Sequence, residues 1–367
     1  MRVIEVIASL GSGGAETLVK DLSIGLKHKQ AEVLVVVVDQ LYNESSENYK
    51  IKQLEEQGIQ VKSLNRKPGK KQFSTFLNFY NIIKEFKPSI IHFHSFIGGF
   101  YLIPFMLFFR DIKYFQTVHS TKNFLGQFNR AVQKNIFNRF CKLIYCSEAA
   151  SKNLSTTYGA GITINNGVTV NNPNCVREKL IEEQQLPADA VLFINVGRIV
   201  YEKNQIFLLD LIEILNKNKY KGKLYLLICG THNSDHIYNE LMQRHQSLVF
   251  KDQIRFLGVR NDILDLMYSC DLYISTSIHE GLPITGLEAA NVGVPMVLSP
   301  IPEHFNVFNN TDNVYFPIDS NLMSFYDLIS SIKVDKDKEV VIQKRANFIQ
   351  KYSMESNIDR HYSLFLR

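Results

Sequence analysis

Short runs of β-branched and aliphatic residues, alternating with helix-patterned stretches, constrain this 367-residue chain more than any other feature. The runs are Val3–Ile7, Glu32–Val38, Ile90–His94, Tyr114–His119 and Leu143–Cys146 in the first half, then Val191–Val196, Leu224–Ile228 and Leu272–Ser275 in the second. A strand, a helix and a further strand close a right-handed crossover, which makes the sheet parallel. The length exceeds one ordinary core and suits two domains. Each half is therefore expected to be a doubly wound α/β domain. Asn171-Asn172-Pro173-Asn174 breaks regular structure, and Leu186-Pro187-Ala188-Asp189 precedes a fresh buried strand. These signals put the domain boundary between about residues 170 and 188.

Composition narrows the class. Apolar content of 45% and charged content of 21% are those of a globular protein. No segment has the apolar length that spans a bilayer, and the N-terminus enters a strand-like run without a signal-peptide pattern. A cytoplasmic location is expected. Cys141, Cys146, Cys175, Cys229 and Cys270 are odd in number and form no C-x-x-C, so neither a disulfide framework nor a zinc knuckle is indicated. Residues 1–180 carry 23 Lys and Arg against 13 Asp and Glu, whereas residues 181–367 carry 18 against 23. The basic half is the one suited to an anionic surface. No nucleic-acid module pattern is present, so nucleic acid is not an expected partner.

The segment Ser277-Ile278-His279-Glu280-Gly281-Leu282-Pro283-Ile284-Thr285-Gly286-Leu287-Glu288 places two carboxylates eight residues apart around a Gly-Pro break. It follows a strand-like run, so Glu280 is expected on the turn and Glu288 on a helix opening at Leu287-Glu288-Ala289-Ala290. A helix start with free N–H groups suits a diphosphate, and two fixed acceptors beside it suit sugar hydroxyls. Gly197-Arg198-Ile199-Val200-Tyr201-Glu202-Lys203-Asn204 follows the first strand of the second half and opens a helix over Gln205–Leu215. Arg198 through its planar fork and Lys203 as a point charge can converge on a diphosphate. The loop Ser9-Leu10-Gly11-Ser12-Gly13-Gly14-Ala15-Glu16 lacks the G-x-G-x-x-G spacing of a dinucleotide fold.

Together these motifs resemble those of retaining glycosyltransferase family 4, glycosyltransferase group 1. The resemblance implies the GT-B fold: two Rossmann-like doubly wound domains facing a central cleft. It implies an acceptor-binding domain over 1–172, a nucleotide-sugar-binding domain over 188–347, and a last segment, 348–367, that crosses back to the first domain. It assigns Glu280 and Gly281, Leu282, Pro283 and Ile284 to the donor sugar and its phosphates, Glu288 to the ribose, and Arg198 and Lys203 to the diphosphate. Gly13 and Gly14 correspond to the first-domain loop that approaches donor phosphate. Thr117-Val118-His119-Ser120 resembles the segment whose His meets the transferred sugar, so Glu280 and His119 are the expected catalytic pair. Asn165-Asn166-Gly167-Val168 resembles a segment that ends the first domain, with Thr169 where the family usually has Asp. Phe256-Leu257-Gly258-Val259-Arg260-Asn261-Asp262 resembles the segment near the nucleobase, while Cys229-Gly230-Thr231-His232 replaces the common Gly-x-Gly.

His92 and His94 fall on one face of their strand. With no carboxylate or Cys near them in sequence to complete a metal set, they read as packing or supporting residues. Asp335-Lys336-Asp337 matches D-x-D formally but sits in a run of alternating charges, which reads as a solvated face. No obligatory metal or other cofactor is expected. Phe96–Phe109 is an apolar stretch too short to span a membrane, and it reads as a core helix or as a segment lying against lipid.

The resemblance implies transfer of a hexose or N-acetylhexosamine from a nucleotide-diphosphate sugar, with UDP the expected nucleotide. The implied acceptor is a glycan or lipid-linked saccharide of surface polysaccharide synthesis, whether capsule, O-antigen of lipopolysaccharide or exopolysaccharide. Peripheral contact with an anionic membrane would accompany a lipid-linked acceptor. The alternatives are a sugar-nucleotide epimerase or phosphorylase on the same fold, and a non-catalytic nucleotide- or glycan-binding subunit.

Overall fold

A computed structural model describes residues 1–11, 13–67, 73–119, 126–169, 173–232, 235–333 and 335–367. Ser12, Ser120, Lys122 and the boundary stretch 170–172 lie outside the described residues. The chain forms two compact units, Met1–Thr169 with Tyr352–Arg367, and Val170–Lys351.

In the first unit, β1 (Arg2–Ile7), β2 (Glu32–Asp39), β3 (Gln60–Arg66), β4 (Ile90–Phe93), β5 (Lys113–Val118), β6 (Cys141–Tyr145) and β7 (Ile162–Thr163) form one parallel sheet. Their order is β3-β2-β1-β4-β5-β6-β7, which reverses direction between β1 and β4. The carboxyl ends at such a reversal open the crevice where doubly wound sheets bind ligands. The period of two sorts the side chains. Val3, Val35 and Val37 pack under Val19, Leu22 and Leu26 of the helix Gly14–His28, while Ile4, Val6 and Val36 pack under Phe79, Tyr101 and Phe137 on the other face.

The apolar stretch after β4 is the helix Phe96–Phe108, capped by Ser95, whose side chain accepts from the Gly98 amide. It is mainly a core helix: Tyr101, Leu102, Phe105 and Met106 are buried, and a Cβ on Gly99 would stand 2.8 Å from the Phe137 ring. Its last turn is different, with Leu107 46% and Phe108 81% exposed. Among the described residues no helix is long and apolar enough to cross a membrane.

The last helix, Met354–Leu366, belongs to the first unit and sends Leu364 and Phe365 into its core. Asn166-Gly167-Val168 receives it. Val168 N donates to Tyr352 O and Met354 N to Val168 O, both at 2.9 Å, and Asn357 Nδ2 donates to Asn165 O at 2.7 Å. A Cβ on Gly167 would lie 2.6 Å from Ser353 O, so this glycine is required by close backbone approach.

The second unit holds β8 (Val191–Val196), β9 (Leu224–Cys229), β10 (Ile254–Gly258), β11 (Leu272–Ser275), β12 (Met296–Leu298) and β13 (Val314–Tyr315) in a parallel sheet of order β10-β9-β8-β11-β12-β13. Here the reversal lies between β8 and β11. The units divide at the start of the expected 170–188 interval. Residues 173–187, outside both expected domain bounds, fold with the second unit: the helix Arg177–Glu183 is tied down by Arg177, whose guanidinium donates to Ser269 O, Ala190 O and Asp271. Residues 348–351 also stay with this unit, in the helix Ala346–Lys351 beside the buried Arg345, which donates to Asp312 O at 2.8 Å and Ala290 O at 3.1 Å. Asp335-Lys336-Asp337 is an exposed capping turn, with Asp337 accepting from Val340 N at the start of the helix Lys338–Lys344.

Candidate functional site

At the switch point of the second unit, the loops after β8 and β11 are stitched together. After β8 the chain makes a 3-10 turn at Tyr201–Lys203, turns left-handed at Asn204 (φ 53°) and enters the helix Gln205–Leu215. After β11, Thr276 Oγ1 donates to Lys203 O and Asn204 O at 3.2 and 3.1 Å, and Ile278 N donates to Glu202 O at 2.9 Å. This backbone frame fixes the side chains: Lys203 Nζ and Ser277 Oγ both donate to Glu280 Oε1 at 2.7 Å. Glu280 is 9% exposed. Burial alone would raise its carboxyl, but the charge and hydrogen bond of Lys203, the Ser277 hydroxyl and the nearby His304 outweigh it and hold the group below the usual carboxylate range. Glu280 is thus a fixed, ionised acceptor.

Behind Glu280, Ser299 Oγ donates to Ser277 O at 2.5 Å, and His304 Nδ1 lies 2.9 Å from Ser299 O. Burial pushes His304 below the usual imidazole range. The helix after Glu280 runs Ile284–Asn291 with Pro283 at its N-cap and no side-chain cap. It starts three residues earlier than expected. Glu288 therefore sits in the second turn, and Gly286 is inside the helix, where a Cβ would stand 2.9 Å from the Phe308 ring. That glycine serves packing rather than phosphate approach. Glu280 and Glu288 still act on one neighbour: burial first, then both carboxylates, push the Tyr273 phenol upward, and Tyr273 OH bonds Thr285 Oγ1 at 2.9 Å. Arg198 is exposed, with its carbonyl held by Gln205 Nε2 at 3.0 Å. Gly281 and Leu282 are half-buried and Pro283 is buried, on the turn between Glu280 and the helix.

In the first unit Gly13 is the N-cap of the helix Gly14–His28, again without a side-chain cap, and the Glu16 carboxylate folds back against it. Beside this turn the buried Lys50 donates to Gly11 O at 2.8 Å, and its burial lowers the ammonium's pKa. No sequence pattern announces Lys50.

His119 closes a network that crosses three strands. Glu5 of β1 is fully buried, with Oε2 2.7 Å from His94 Nε2; His92 Nδ1 lies 2.9 Å from the same oxygen without hydrogen-bond alignment. His94 Nδ1 lies 2.9 Å from His119 Nε2, and His92 Nε2 lies 2.7 Å from Thr117 Oγ1. Reading His92 and His94 as lacking a carboxylate is therefore corrected: Glu5, distant in sequence, pairs with His92 across the β1–β4 register. Among the described residues this is the one cluster dense enough to suggest a metal. Its 2.7–2.9 Å spacings are those of hydrogen-bonded groups, whereas ligands around a tetrahedral zinc stand about 3.3 Å apart.

Burial would raise Glu5, but His92 and His94 beside its carboxylate outweigh burial and bring it down to about 2. Burial pushes His94 down to about 4, His361 to about 3, and His119 well below its ordinary value. An imidazole held neutral in the fold takes up its proton only on unfolding, so stability falls as pH drops below the free value near 6.5, toward the depressed native value. Each such ring contributes a loss of about 1.4 kcal/mol per pH unit in that window. Urea midpoints should therefore drop between pH 7 and 5; an unchanged midpoint would contradict the buried neutral rings.

Residues 12–172 match the model of Glycosyltransferase Family 4, and residues 176–351 that of Glycosyl transferases group 1. The chain belongs to glycosyltransferase family 4, group 1, and is a transferase enzyme. CapH of Staphylococcus aureus, a capsular polysaccharide biosynthesis glycosyltransferase, is 28% identical over 328 residues, covering 86% of this chain and 84% of its own. An Escherichia coli UDP-Gal:alpha-D-GlcNAc-diphosphoundecaprenol alpha-1,3-galactosyltransferase is 22% identical over 53% of this chain and 49% of its own. The crystal structure of Anabaena HepE in complex with UDP and glucose is similar with a TM-score of 0.82, covering 99% of both chains at 19% identity, and it shares the GT-B fold. Within this family member the second unit brings together Lys203, Glu280 and the neighbourhood of Glu288, and the first unit brings together Glu5, His92, His94 and His119.

Proposed function

We propose that this chain transfers a hexose or N-acetylhexosamine, with retention of configuration, from a UDP-sugar to a lipid-linked saccharide in surface polysaccharide synthesis. The observation that carries the reading is the Lys203–Glu280 pair at 2.7 Å, set on the turn before a helix N-terminus with no side-chain cap. A diphosphate suits that N-terminus together with Arg198 and Lys203. The ionised Glu280 suits a sugar hydroxyl and the positive charge that develops at the anomeric carbon. Glu288 is assigned to the ribose, Gly13 and Gly14 to donor phosphate, and His119 to the transferred sugar. The acceptor hydroxyl oxygen bonds to the anomeric carbon on the face from which the diphosphate departs, the bond to the diphosphate oxygen breaks, and that oxygen takes the hydroxyl proton. The leaving charge is met by Arg198, Lys203 and the helix end, so the reaction is proposed to need no metal or other cofactor. The names of CapH and of the Escherichia coli enzyme, and the UDP and glucose held by HepE, support the substrate classes.

The test is incubation with a panel of nucleotide sugars and diphosphoundecaprenol-linked acceptors, with product anomers read by NMR. Transfer with inverted configuration would refute retention; conversion of donor without acceptor would favour the epimerase.

Such an acceptor lies at a bilayer. The helix Phe73–Phe86 packs on Phe96–Phe108 through Phe79 and Phe105, at 6.0 Å between rings, and the pair leaves Phe73, Leu77 and Phe108 exposed. Exposed Lys84 and Lys87 flank them in the basic half of the chain. Peripheral docking by this flank to the cytoplasmic face of the membrane is proposed. The Leu77→Asp/Phe108→Asp double variant should lower partition onto phosphatidylglycerol vesicles about tenfold in sedimentation, without changing turnover of a soluble acceptor. Equal partition would count against it.

A further inference from the structure

We infer that Glu5 and His94 are positioning residues that hold His119 in one tautomer, as a hydrogen-bond acceptor whose Nδ1 lone pair receives a hydroxyl of the sugar substrate. The inference rests on the reading of His119 as a donor-sugar contact and adds the direction of its hydrogen bond.

The argument runs outward from the carboxylate. An ionised carboxylate only accepts, so the His94 Nε2 that lies 2.7 Å from Glu5 Oε2 carries the N–H. A neutral imidazole has one N–H, which leaves His94 Nδ1 bare. The bare nitrogen lies 2.9 Å from His119 Nε2, so that atom must be the donor. His119 Nδ1 is then the bare nitrogen. It is shielded from solvent and hydrogen-bonds nothing among the described residues. A buried acceptor left so is destabilising, and a partner from outside the chain removes that cost. The partner must donate. A hydroxyl fits, whereas a ligand carboxylate would set its lone pairs against that of the ring.

Neutrality of both rings follows from their burial, which lowers His94 and His119, and the ionised state of Glu5 from its lowered pKa. The frame is rigid because each member leaves a different strand of one sheet: Glu5 from β1, His94 directly after β4, and His119 directly after β5. His361 of the last helix packs behind, with ring centroids 5.5 Å from His92.

The experiment is a long-range proton–nitrogen spectrum of the full-length protein, labelled with nitrogen-15 in its histidines, at neutral pH. His119 and His94 signals are assigned by their loss in His119→Gln and His94→Gln. The expected result is Nε2–H with bare Nδ1 for both. Glu5→Gln, which keeps the shape but removes the anion, should bring the opposite tautomer of His119 into the spectrum. His119 found as Nδ1–H in the unaltered protein would overturn the inference, as would a tautomer pattern indifferent to Glu5→Gln. The second arm uses deoxy and deoxyfluoro donors. Fluorine can accept but cannot donate, so at the position facing His119 the two analogues should fall equally, about tenfold or more in kcat/KM, and His119→Ala should erase that penalty. A fluoro donor that recovers most of the hydroxyl's rate at the position sensitive to His119→Ala would show the ring donating, and would refute the proposal. The tautomer measurement needs no substrate, so failure of the transferase reading alone would leave the spectrum as expected while no donor is turned over.

Discussion

Lys203→Ala is expected to cut kcat/KM about 10²–10³-fold and to destabilise the second unit by about 2 kcal/mol, whereas Glu280→Gln should lose comparable activity at little cost in stability. The two differ because of what each leaves behind. Without Lys203, the carboxylate of Glu280 stays nine-tenths buried and loses its ammonium partner, while the Ser277 hydroxyl still donates to it. The loss is discounted from the 3–5 kcal/mol typical of a fully buried pair, because the Lys203 side chain is 22% exposed. In Glu280→Gln the amide oxygen still accepts from Lys203 and Ser277, while the full negative charge beside the proposed anomeric centre is gone. The double variant Lys203→Ala/Glu280→Gln should recover much of the stability and none of the activity. Denaturant midpoints and steady-state rates on the same preparations separate these outcomes; near-normal transfer in either single variant would sink the assignment. The pH dependence has a definite sign. Glu280 sits below its ordinary pKa, so the stability it adds is complete above about 4.5 and fades as pH falls.

Gly230→Ala should produce the largest loss of stability in the second unit, about 3 kcal/mol or more, with Tm down by roughly 6–12 °C. Gly230 has φ +145°, and a Cβ there would overlap the carbonyl oxygen of Gly197. The backbone on both sides is committed: Gly197 N donates to Cys229 O at 2.9 Å and Gly230 N to Gly258 O at 2.7 Å. Relief would move the very segment that leads into Arg198 and Lys203, so turnover should fall with stability. Gly258→Ala is the control. It also has positive φ (+65°) but nothing within 4 Å of its Cβ position, so it should cost only about 1 kcal/mol. Thermal melts of both variants decide it: equal losses would mean that the close approach carries no weight.

The central strands and the helix Gln205–Leu215 were legible because they are long, apolar and bounded by turn residues. The strands that escaped reading are mostly edges. Gln60–Arg66, with the sequence QVKSLNR, borders the first sheet and Ile254–Gly258 the second, and an edge strand's polar positions blur the apolar run. Met296–Leu298 lies inside the sheet but is only three residues long. The onset of the helix Ile284–Asn291 was misplaced because Thr285 and Gly286 suggest a turn by composition, while Gly286 is helical in order to meet Phe308. Glu5 did leave a trace. A carboxylate inside Val3-Ile4-Glu5-Val6-Ile7 contradicts its surroundings, and such a contradiction marks a buried partner that only the strand register could name. Lys50 left none, since a lysine in a polar helix is ordinary until the fold covers it.

The helix Met354–Leu366 has a consequence for how the molecule is made. Its Leu364 and Phe365 complete the apolar layer against β1 and β5, through Phe115 at 4.7 Å between rings, and its His361 backs the histidine cluster. The amino-terminal unit is thus discontinuous, and the last part of its interior leaves the ribosome only after the whole of the other unit has been synthesised. Residues 1–169 pass through that interval without this helix, and its arrival completes the interior of their unit.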